Sequence, residues 1–437
     1  MYKFSDFNKV YQNEKDYVLF NMISGNIVKI ESANLRDYIE KSEKLSETTE
    51  SIKELIEGGF AVPDDIDENL KIQFKINEMI YSRVMELVII PTTNCNFRCE
   101  YCYQDFPDNN MDEKVQNSII NYVRKNIRNF AGLRVNWYGG EPLLARKTIN
   151  YLSSELISIC RKMGKPYIAS ITTNGYLLTK DVFTEMISNN IVTYVITIDG
   201  IEEYHNKFRH LKNGDGTFKN IVDNLKYIKE NAPKKLFTIL IRVNVTKSSL
   251  NYELKKLILF LEKEFGSDKR FEFLFYPVTD WGGVAVQQIK NEICDSYEDI
   301  FDFLISNKVK LNFGPYYKYL KLGSCWAAKR YSYLIDPEGL IKKCTLLVDR
   351  EEHTIGRLKE DGKMEIDEYM LAKWILPERR KDNLCDTCKQ KINCVSFCPF
   401  IKNFSVSNFE CEFKFFDAEK IIELLLKCDK NSRIKVL

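Results

Sequence analysis

The sequence predicts an α/β protein built on parallel βαβ units, with a small unit before them and a cysteine-rich third after them. Three observations predict this. Six apolar β-type runs alternate with amphipathic helical stretches between residues 85 and 310. Ten of the thirteen cysteines fall into two groups, one after the first run and one beyond the last. The composition, 44% hydrophobic and 29% charged over 437 residues, is that of a globular chain of two or three domains.

Residues 1–84 read as a separate unit. Tyr17–Phe20 and Ile27–Ile30 are β-rich and flank a turn at Asn21–Gly25, the pattern of a hairpin. Ser46 to Ile56 reads as a helix that stops at Gly58–Gly59, and Asp64 to Asn69 as an acidic connection. The six runs of the middle region are Met85–Ile90, Leu133–Tyr138, Tyr167–Thr172, Val192–Ile198, Leu236–Val245 and Phe271–Tyr276. Between them, Val115, Ile119, Val123 and Ile127 recur at helical spacing, as do Phe218, Ile221, Leu225 and Ile228. In such sheets and barrels chemistry sits at the C-terminal ends of the strands. The last third, residues 311–437, is irregular and closes with a helix near Ala418–Lys427.

Charge and hydropathy exclude several classes. The net charge of +2 points to neither nucleic acid nor an anionic membrane. No apolar run is long enough to cross a bilayer. Met1–Val10 carries Lys3, Asp6 and Lys9 and has no apolar core of a secretory signal, so a cytoplasmic location is expected. Disulfides are rare in that compartment, and thirteen cysteines there imply metal or redox chemistry. The three histidines, His205, His210 and His353, are too few for a histidine-built metal site.

The loop after the first run reads PTTNCNFRCEYCYQ, with Cys95, Cys99 and Cys102 spaced C-x3-C-x2-C. Three thiolates on one short loop can hold three corners of a cubane cluster and leave the fourth iron open. A zinc loop with a distant fourth ligand is the alternative. The loop resembles the signature of the radical SAM superfamily, with Tyr101 in the aromatic position before the third cysteine. The resemblance implies a partial (β/α)6 barrel. It also implies a [4Fe–4S] cluster whose open iron is chelated by S-adenosylmethionine, which is cleaved to a 5′-deoxyadenosyl radical.

Later strand ends agree with that resemblance. Trp137-Tyr138-Gly139-Gly140-Glu141-Pro142 is similar to the family's GGEP segment, which implies that Gly139, Gly140 and Glu141 receive the amino group of S-adenosylmethionine. Glycines permit close backbone approach, and a carboxylate suits an ammonium. Thr172–Gly175, with Asn174, and Thr197–Gly200, with Thr197, resemble segments lining the same pocket. Arg242 and Asn244 on the fifth run are placed to reach its carboxylate or ribose. His205, Arg209 and His210 are read as solvated or structural, and Trp137 as packing.

The second group spaces Cys325-x13-Gly339-x4-Cys344, then Cys385-x2-Cys388-x5-Cys394-x3-Cys398, then Cys411. A zinc ribbon would use only part of this set. The spacing resembles the SPASM domain. By that resemblance Cys385, Cys388, Cys394 and Cys411 hold an outer auxiliary [4Fe–4S] cluster, and Cys325, Cys344 and Cys398 an inner one, making three clusters in all. Two cubanes need eight ligands and the motif offers seven. Trp326–Tyr331, where an eighth cysteine is found in other members, has none, so an open iron able to bind a substrate thiolate is expected. Cys160 and Cys428 are read as core residues, and Cys294 as a core residue or the missing ligand.

Two substrate classes compete. Peptide maturases form crosslinks in ribosomally made precursors and commonly carry an N-terminal leader-binding module of winged-helix type, which residues 1–84 loosely resemble. Anaerobic sulfatase-maturating enzymes use an aspartate directly after the second SPASM cysteine as base. Here that residue is Thr345, and Asp349 lies five positions after Cys344. The expected reading is therefore a peptide-modifying enzyme forming a thioether. Its partners would be a leader-bearing precursor peptide and a low-potential donor such as flavodoxin or ferredoxin. Formylglycine formation, carbon–carbon crosslinking and a multi-cluster electron carrier stand as alternatives.

Overall fold

The computed structural model describes residues 1–41, 44–45, 49–105, 107–232, 236–294, 297–376, 398–400, 417–430 and 434–437. Strands β1 (Asn8–Gln12), β2 (Tyr17–Asn21) and β3 (Ile27–Lys29) form the expected antiparallel unit. At the β2–β3 turn the Asn21 side-chain oxygen accepts the N–H groups of Ile23 (3.0 Å) and Ser24 (2.9 Å), which reverses the chain. All five β2 residues are buried because the strand is covered on both faces. Val18 and Phe20 join the main core, while Tyr17 and Leu19 face a smaller one.

That smaller core includes Leu35 and Ile39 of α1 (Ala33–Lys41) and Ile52 and Leu55 of α2 (Glu50–Glu57). The α2 helix starts at Glu50, with Thr49 accepting the Ile52 N–H, rather than at Ser46, and it ends at Gly58 as expected. The acidic stretch Asp64–Asn69 is more than a connection. Asp67 caps α3 (Glu68–Ile80), and Glu68 is buried, accepting the Ser5 hydroxyl and the Asp6 N–H. Two carboxylates that read as solvated are tied to backbone and side-chain donors.

The middle region contains β4 (Val84–Ile89), β5 (Phe97–Cys99), α4 (Glu113–Asn126), β6 (Gly132–Trp137), α5 (Arg146–Lys162), β7 (Tyr167–Thr173) and α6 (Lys180–Ser188). It continues through β8 (Ile191–Thr197), α7 (Glu202–Phe208), β9 (Arg209–Leu211), α8 (Phe218–Asn231), β10 (Thr238–Val245), α9 (Tyr252–Glu264) and β11 (Phe271–Pro277). Six strands, β4, β6, β7, β8, β10 and β11, pair side by side in chain order and all in parallel. Each of the six expected runs is one of them, displaced by a residue or two at its ends. Helices joining successive parallel strands put every loop that follows a strand on one rim.

The parallel sheet does not stop near residue 310. The run β12 (Ser332–Ile335), buried throughout, pairs in parallel with the free edge of β4, Ser332 opposite Glu86 and Ile335 opposite Ile89. Then β13 (Leu340–Lys342), β14 (Gly356–Leu358) and β15 (Met364–Ile366) extend it as an antiparallel meander, followed by α10 (Glu368–Ile375). The edge of β4 would otherwise present unpaired backbone groups, and four apolar or small residues suffice to cover it. The closing helix, α11 (Ala418–Cys428), is present, and β16 (Lys435–Val436) returns to pair with β3. Cys160, Cys294 and Cys428 are all buried in the main core, as is Trp137. No described helix is long and apolar enough to cross a membrane.

Candidate active site

The rim at the C-terminal ends of the parallel strands gathers the residues singled out in the sequence. The cysteine loop leaves β4 and returns through β5, where Cys99 lies opposite Arg209, Arg98 opposite His210, and Phe97 opposite Leu211 of β9. The segment His205–His210 therefore does structural work on this loop. His210 Nε2 meets the Glu100 carboxylate at 3.0 Å, Lys212 Nζ donates to Asn94, and the Glu100 N–H donates to the Phe208 carbonyl. No periodicity in the sequence marks so short a pairing.

Cys95 is buried, and Cys99 and Cys102 are half-buried. Burial pushes the thiols of Cys95 and Cys102 up to about 12, and charge on neighbouring thiols adds to this. Burial raises Cys99 as well. Three adjacent sulfurs ionise together only with a strong local countercharge, which bound iron provides. The donor set thus fits an iron–sulfur group.

Gly139 and Gly140 run along the backbone of the cysteine loop. The Glu141 N–H donates to the Asn94 carbonyl at 2.8 Å. A Cβ on Gly140 would lie 2.3 Å from the Asn94 oxygen and 2.4 Å from the Thr93 oxygen, both main-chain atoms that cannot swing away. Gly140→Ala is therefore expected to displace the cysteine loop. Iron content on the triplet should fall and S-adenosylmethionine should cease to be cleaved, with both read on the purified protein. Unchanged iron and cleavage would show that the glycine contact does not position the loop.

Glu141 is fully buried, and its carboxylate accepts the Thr173 hydroxyl (2.7 Å), the Asn174 N–H (2.7 Å) and the Leu143 N–H (3.0 Å). Burial pushes its pKa up and these bonds pull against that. Three of about four acceptor positions are thus engaged in joining the ends of β6 and β7. Asn174 in turn donates to Asn96 of the cysteine loop at 2.8 Å. Both residues expected at S-adenosylmethionine serve first to fix the loop.

Tyr101 is the hub of the site. Its hydroxyl donates to Asp199 and accepts from Arg209 Nη1 (2.8 Å) and Asn244 Nδ2 (3.1 Å). Asp199 also accepts the Asn244 N–H at 2.7 Å, and Asn244 accepts from Arg242 Nε at 2.8 Å. The Arg242 guanidinium stacks 4.2 Å from the ring of Tyr276. Thr197 ends β8 with Arg242 beside it on β10. Tyr101, Arg242 and Asn244 are thus brought together as expected, while Asp199 and Arg209 complete a network that the sequence showed only as a strand end and a basic stretch.

His205 supports this network from behind. The Asp199 N–H donates to its Nδ1 at 3.3 Å, and the Thr217 hydroxyl gives its proton to the Arg209 carbonyl at 2.7 Å. Nε2 must then carry the proton it donates to Thr217 Oγ1 (3.1 Å), so the ring is neutral. Burial, with the Arg209 charge, holds its pKa well below the usual 6.5. Below pH 6.5 the unfolded chain binds a proton that the folded chain refuses, so this contribution to stability is present above 6.5 and lost as the pH falls. The loss should grow as the pH is lowered from 6.5 toward 5. Urea unfolding of the protein and of His205→Gln across that range checks it: the variant should lack this part of the slope, and equal slopes would contradict the neutral ring.

In the second group, Gly339 has φ of 74° and closes the β12–β13 hairpin, its N–H donating to Asp336 (3.1 Å). A left-handed turn residue explains a glycine at that spacing. Cys344 follows β13 and is buried, while Cys325 and Cys398 are half-buried. The charge of Cys344 is felt by both Tyr103, next to Cys102, and Tyr138, beside Gly139, whose hydroxyls are hydrogen-bonded to each other. Lys343 is buried and donates to the carbonyls of Lys329 and Ser332 (both 2.6 Å). Cys385, Cys388, Cys394 and Cys411 lie outside the described residues.

Residues 89–248 match the Radical SAM superfamily, so the chain carries a radical SAM domain and is a radical SAM enzyme. Its fold family implies one [4Fe–4S] cluster and S-adenosylmethionine, which the thiol triplet fits. The chain is 26% identical over 371 residues to a cysteine-type anaerobic sulfatase-maturating enzyme of Clostridium novyi, spanning 78% of this chain and 96% of that one. It is 23% identical over 264 residues to the radical SAM cyclopropyl synthase TigE of Paramaledivibacter caminithermalis, covering 51% and 53% of the two chains. Among solved structures, anSMEcpe with bound AdoMet is similar with a TM-score of 0.57 at 18% identity, over 79% of this chain and 96% of that chain. Streptococcus suis SuiB bound to its precursor peptide SuiA is similar with a TM-score of 0.51 at 18% identity, over 96% of this chain and 99% of that chain. The mixed α/β fold is shared with both.

Proposed function

We propose that this enzyme modifies a ribosomally made peptide and joins a carbon of it to a cysteine sulfur. The observation that carries the reading is the second cysteine group, with Cys344 buried just beyond β13 among the strands that extend the parallel sheet. Held by Cys95, Cys99 and Cys102, a cluster with S-adenosylmethionine would supply hydrogen-abstracting radical chemistry. The chain's own residues hold the loop through Glu141, Asn174 and Arg209, orient the adenosyl group through Asn244 and Arg242, and wall the space between the sites. Cys325, Cys344 and Cys398 are proposed to hold an inner auxiliary cluster with an open iron, and Cys385, Cys388, Cys394 and Cys411 an outer one. Residues 1–84 are proposed as the unit that recognises the precursor, with an electron donor of the flavodoxin or ferredoxin kind.

The similarity in fold to SuiB along nearly the whole chain supports a peptide substrate. The sulfatase-maturase reading has relatives in its favour but not the base. Thr345 begins a short 3-10 turn, and Asp349 is exposed, accepting the Asp105 N–H at 3.0 Å on the rim of a cavity of about 350 Å³. Asp349 stands five positions from Cys344; partial burial against the cavity raises its pKa, while the loop N–H it accepts lowers it. The test is mass spectrometry of a cysteine-containing candidate precursor peptide after reaction with the reconstituted enzyme and S-adenosylmethionine. A product two hydrogens lighter, with its cysteine no longer alkylatable, is expected. A product with formylglycine, or one crosslinked without cysteine, would replace this reading.

A further inference from the structure

Arg209 carries a charge that the fold buries without fully pairing. The residue is 7% exposed. Its Nη1 donates to the Tyr101 hydroxyl at 2.8 Å, but its Nε is enclosed and meets no acceptor among the described residues. The Asp199 carboxylate stands 3.9 Å from Nε, and its two oxygens already accept the Tyr101 hydroxyl and the Asn244 N–H. A buried guanidinium is costly unless acceptors and counter-charge surround it. A side chain held in this way points to a further negative group close by.

The pairing of β5 with β9 places that charge. Arg209 lies directly opposite Cys99, and opposed residues of an antiparallel pair send their side chains to one face, with Cβ atoms about 5 Å apart. Phe97, two residues before Cys99, shares that face. The Arg209 guanidinium lies 5.6 Å from the centre of the Phe97 ring, so it stays against the ribbon. Burial raises the thiols of Cys95, Cys99 and Cys102, and the charge of Arg209 pulls all three the other way. Asp199 opposes it at Cys99.

We propose that Arg209 sets the reduction potential of the cluster on Cys95, Cys99 and Cys102, its fixed positive charge favouring the reduced state and Asp199 acting as the opposing charge. Reduction adds one electron, taken from a low-potential donor protein or from dithionite, and breaks no bond. The negative charge on the cluster and its thiolates grows by one unit. A buried cation beside Cys99 therefore stabilises the product of that step more than the reactant. Arginine suits the role because it keeps its charge at any working pH. The inference concerns the radical SAM cluster alone and holds whichever peptide product forms.

The test is a potentiometric titration of anaerobically reconstituted, full-length protein, read by electron paramagnetic resonance. Samples are titrated without S-adenosylmethionine and then given it, so that the signal it alters marks the first cluster. In Arg209→Gln the ratio of reduced to oxidised cluster at a fixed potential should fall roughly tenfold or more, a potential about 59 mV more negative. In Asp199→Asn the potential should move the opposite way. A general loosening of the hub would move both variants in the same direction, and that result would overturn the proposal. So would an unchanged potential in Arg209→Gln. A shift that appears only with S-adenosylmethionine present would assign the side chain to that molecule and also overturn it. If Arg209→Gln does not fold, the double variant Arg209→Gln/Asp199→Asn is compared with Asp199→Asn, which removes the same charge without leaving a lone carboxylate. The double variant should again be the more negative of the two. Loss of the triplet's iron from the double variant would make Arg209 only a brace of the loop, against the proposal.

Discussion

Replacing Cys99 by alanine should abolish reductive cleavage of S-adenosylmethionine and remove about four irons per chain, leaving any auxiliary iron in place. Cys99 closes β5 opposite Arg209, and that pairing uses backbone groups that alanine retains. Its thiol is one of three on a loop braced by Arg209, Glu100 and Asn174. The substitution therefore removes a ligand without removing the brace, and the urea midpoint should move by no more than about 1 kcal/mol equivalent. 5′-Deoxyadenosine formed with dithionite, measured by chromatography, should fall to background. Cleavage retained at a tenth of the original rate or more would mean that this loop does not hold the catalytic cluster.

Asp199→Ala should be the most destabilising single change at the site. Arg209 and Asp199 are both nearly inaccessible, and they meet directly at 3.9 Å and more closely through the Tyr101 hydroxyl. Removing the carboxylate leaves a buried guanidinium without its counter-ion and strips the Asn244 N–H of its acceptor. Breaking a buried pair from one side costs about 3–5 kcal/mol. Asp199→Asn keeps an acceptor for Asn244 and should lose less, about 1–3 kcal/mol. Asp199→Ala combined with Arg209→Met should recover part of the loss, because no uncompensated charge remains. Urea unfolding of the four proteins measures this, and a loss below about 1 kcal/mol in Asp199→Ala would show that the hub does not hold the rim together.

Much of this site is legible in the sequence because close contact and ligation restrict residue type. The six strand runs are read from hydrophobic patterning, and the cysteine spacing, the glycine pair and Gly339 each answer to a local geometric need. What the sequence hides is long-range and polar. The pairing of Phe97–Cys99 with Arg209–Leu211 is three residues long, too short for a period to show. Glu141 reads as a ligand for an ammonium, yet its carboxylate is largely occupied by Thr173, Asn174 and Leu143. His205 and Arg209 read only as solvated or structural, because nothing local says that the chain from α7 into β9 turns them inward beneath Asp199. The addition of a seventh parallel strand to the sheet is hidden for a related reason. Ser332–Ile335 is four residues long and gains its partner, β4, from more than two hundred positions away. The short segment at residues 434–437 is a further case, since only the fold brings it to β3.

The most direct test of the proposed three clusters is an iron and sulfide count on anaerobically reconstituted protein, with Mössbauer spectra taken with and without a cysteine-containing peptide. Three clusters predict about twelve irons per chain, with one auxiliary spectrum altered by the peptide thiolate. About four irons together with bound zinc would contradict this assignment, leaving a radical SAM domain whose last third does something else.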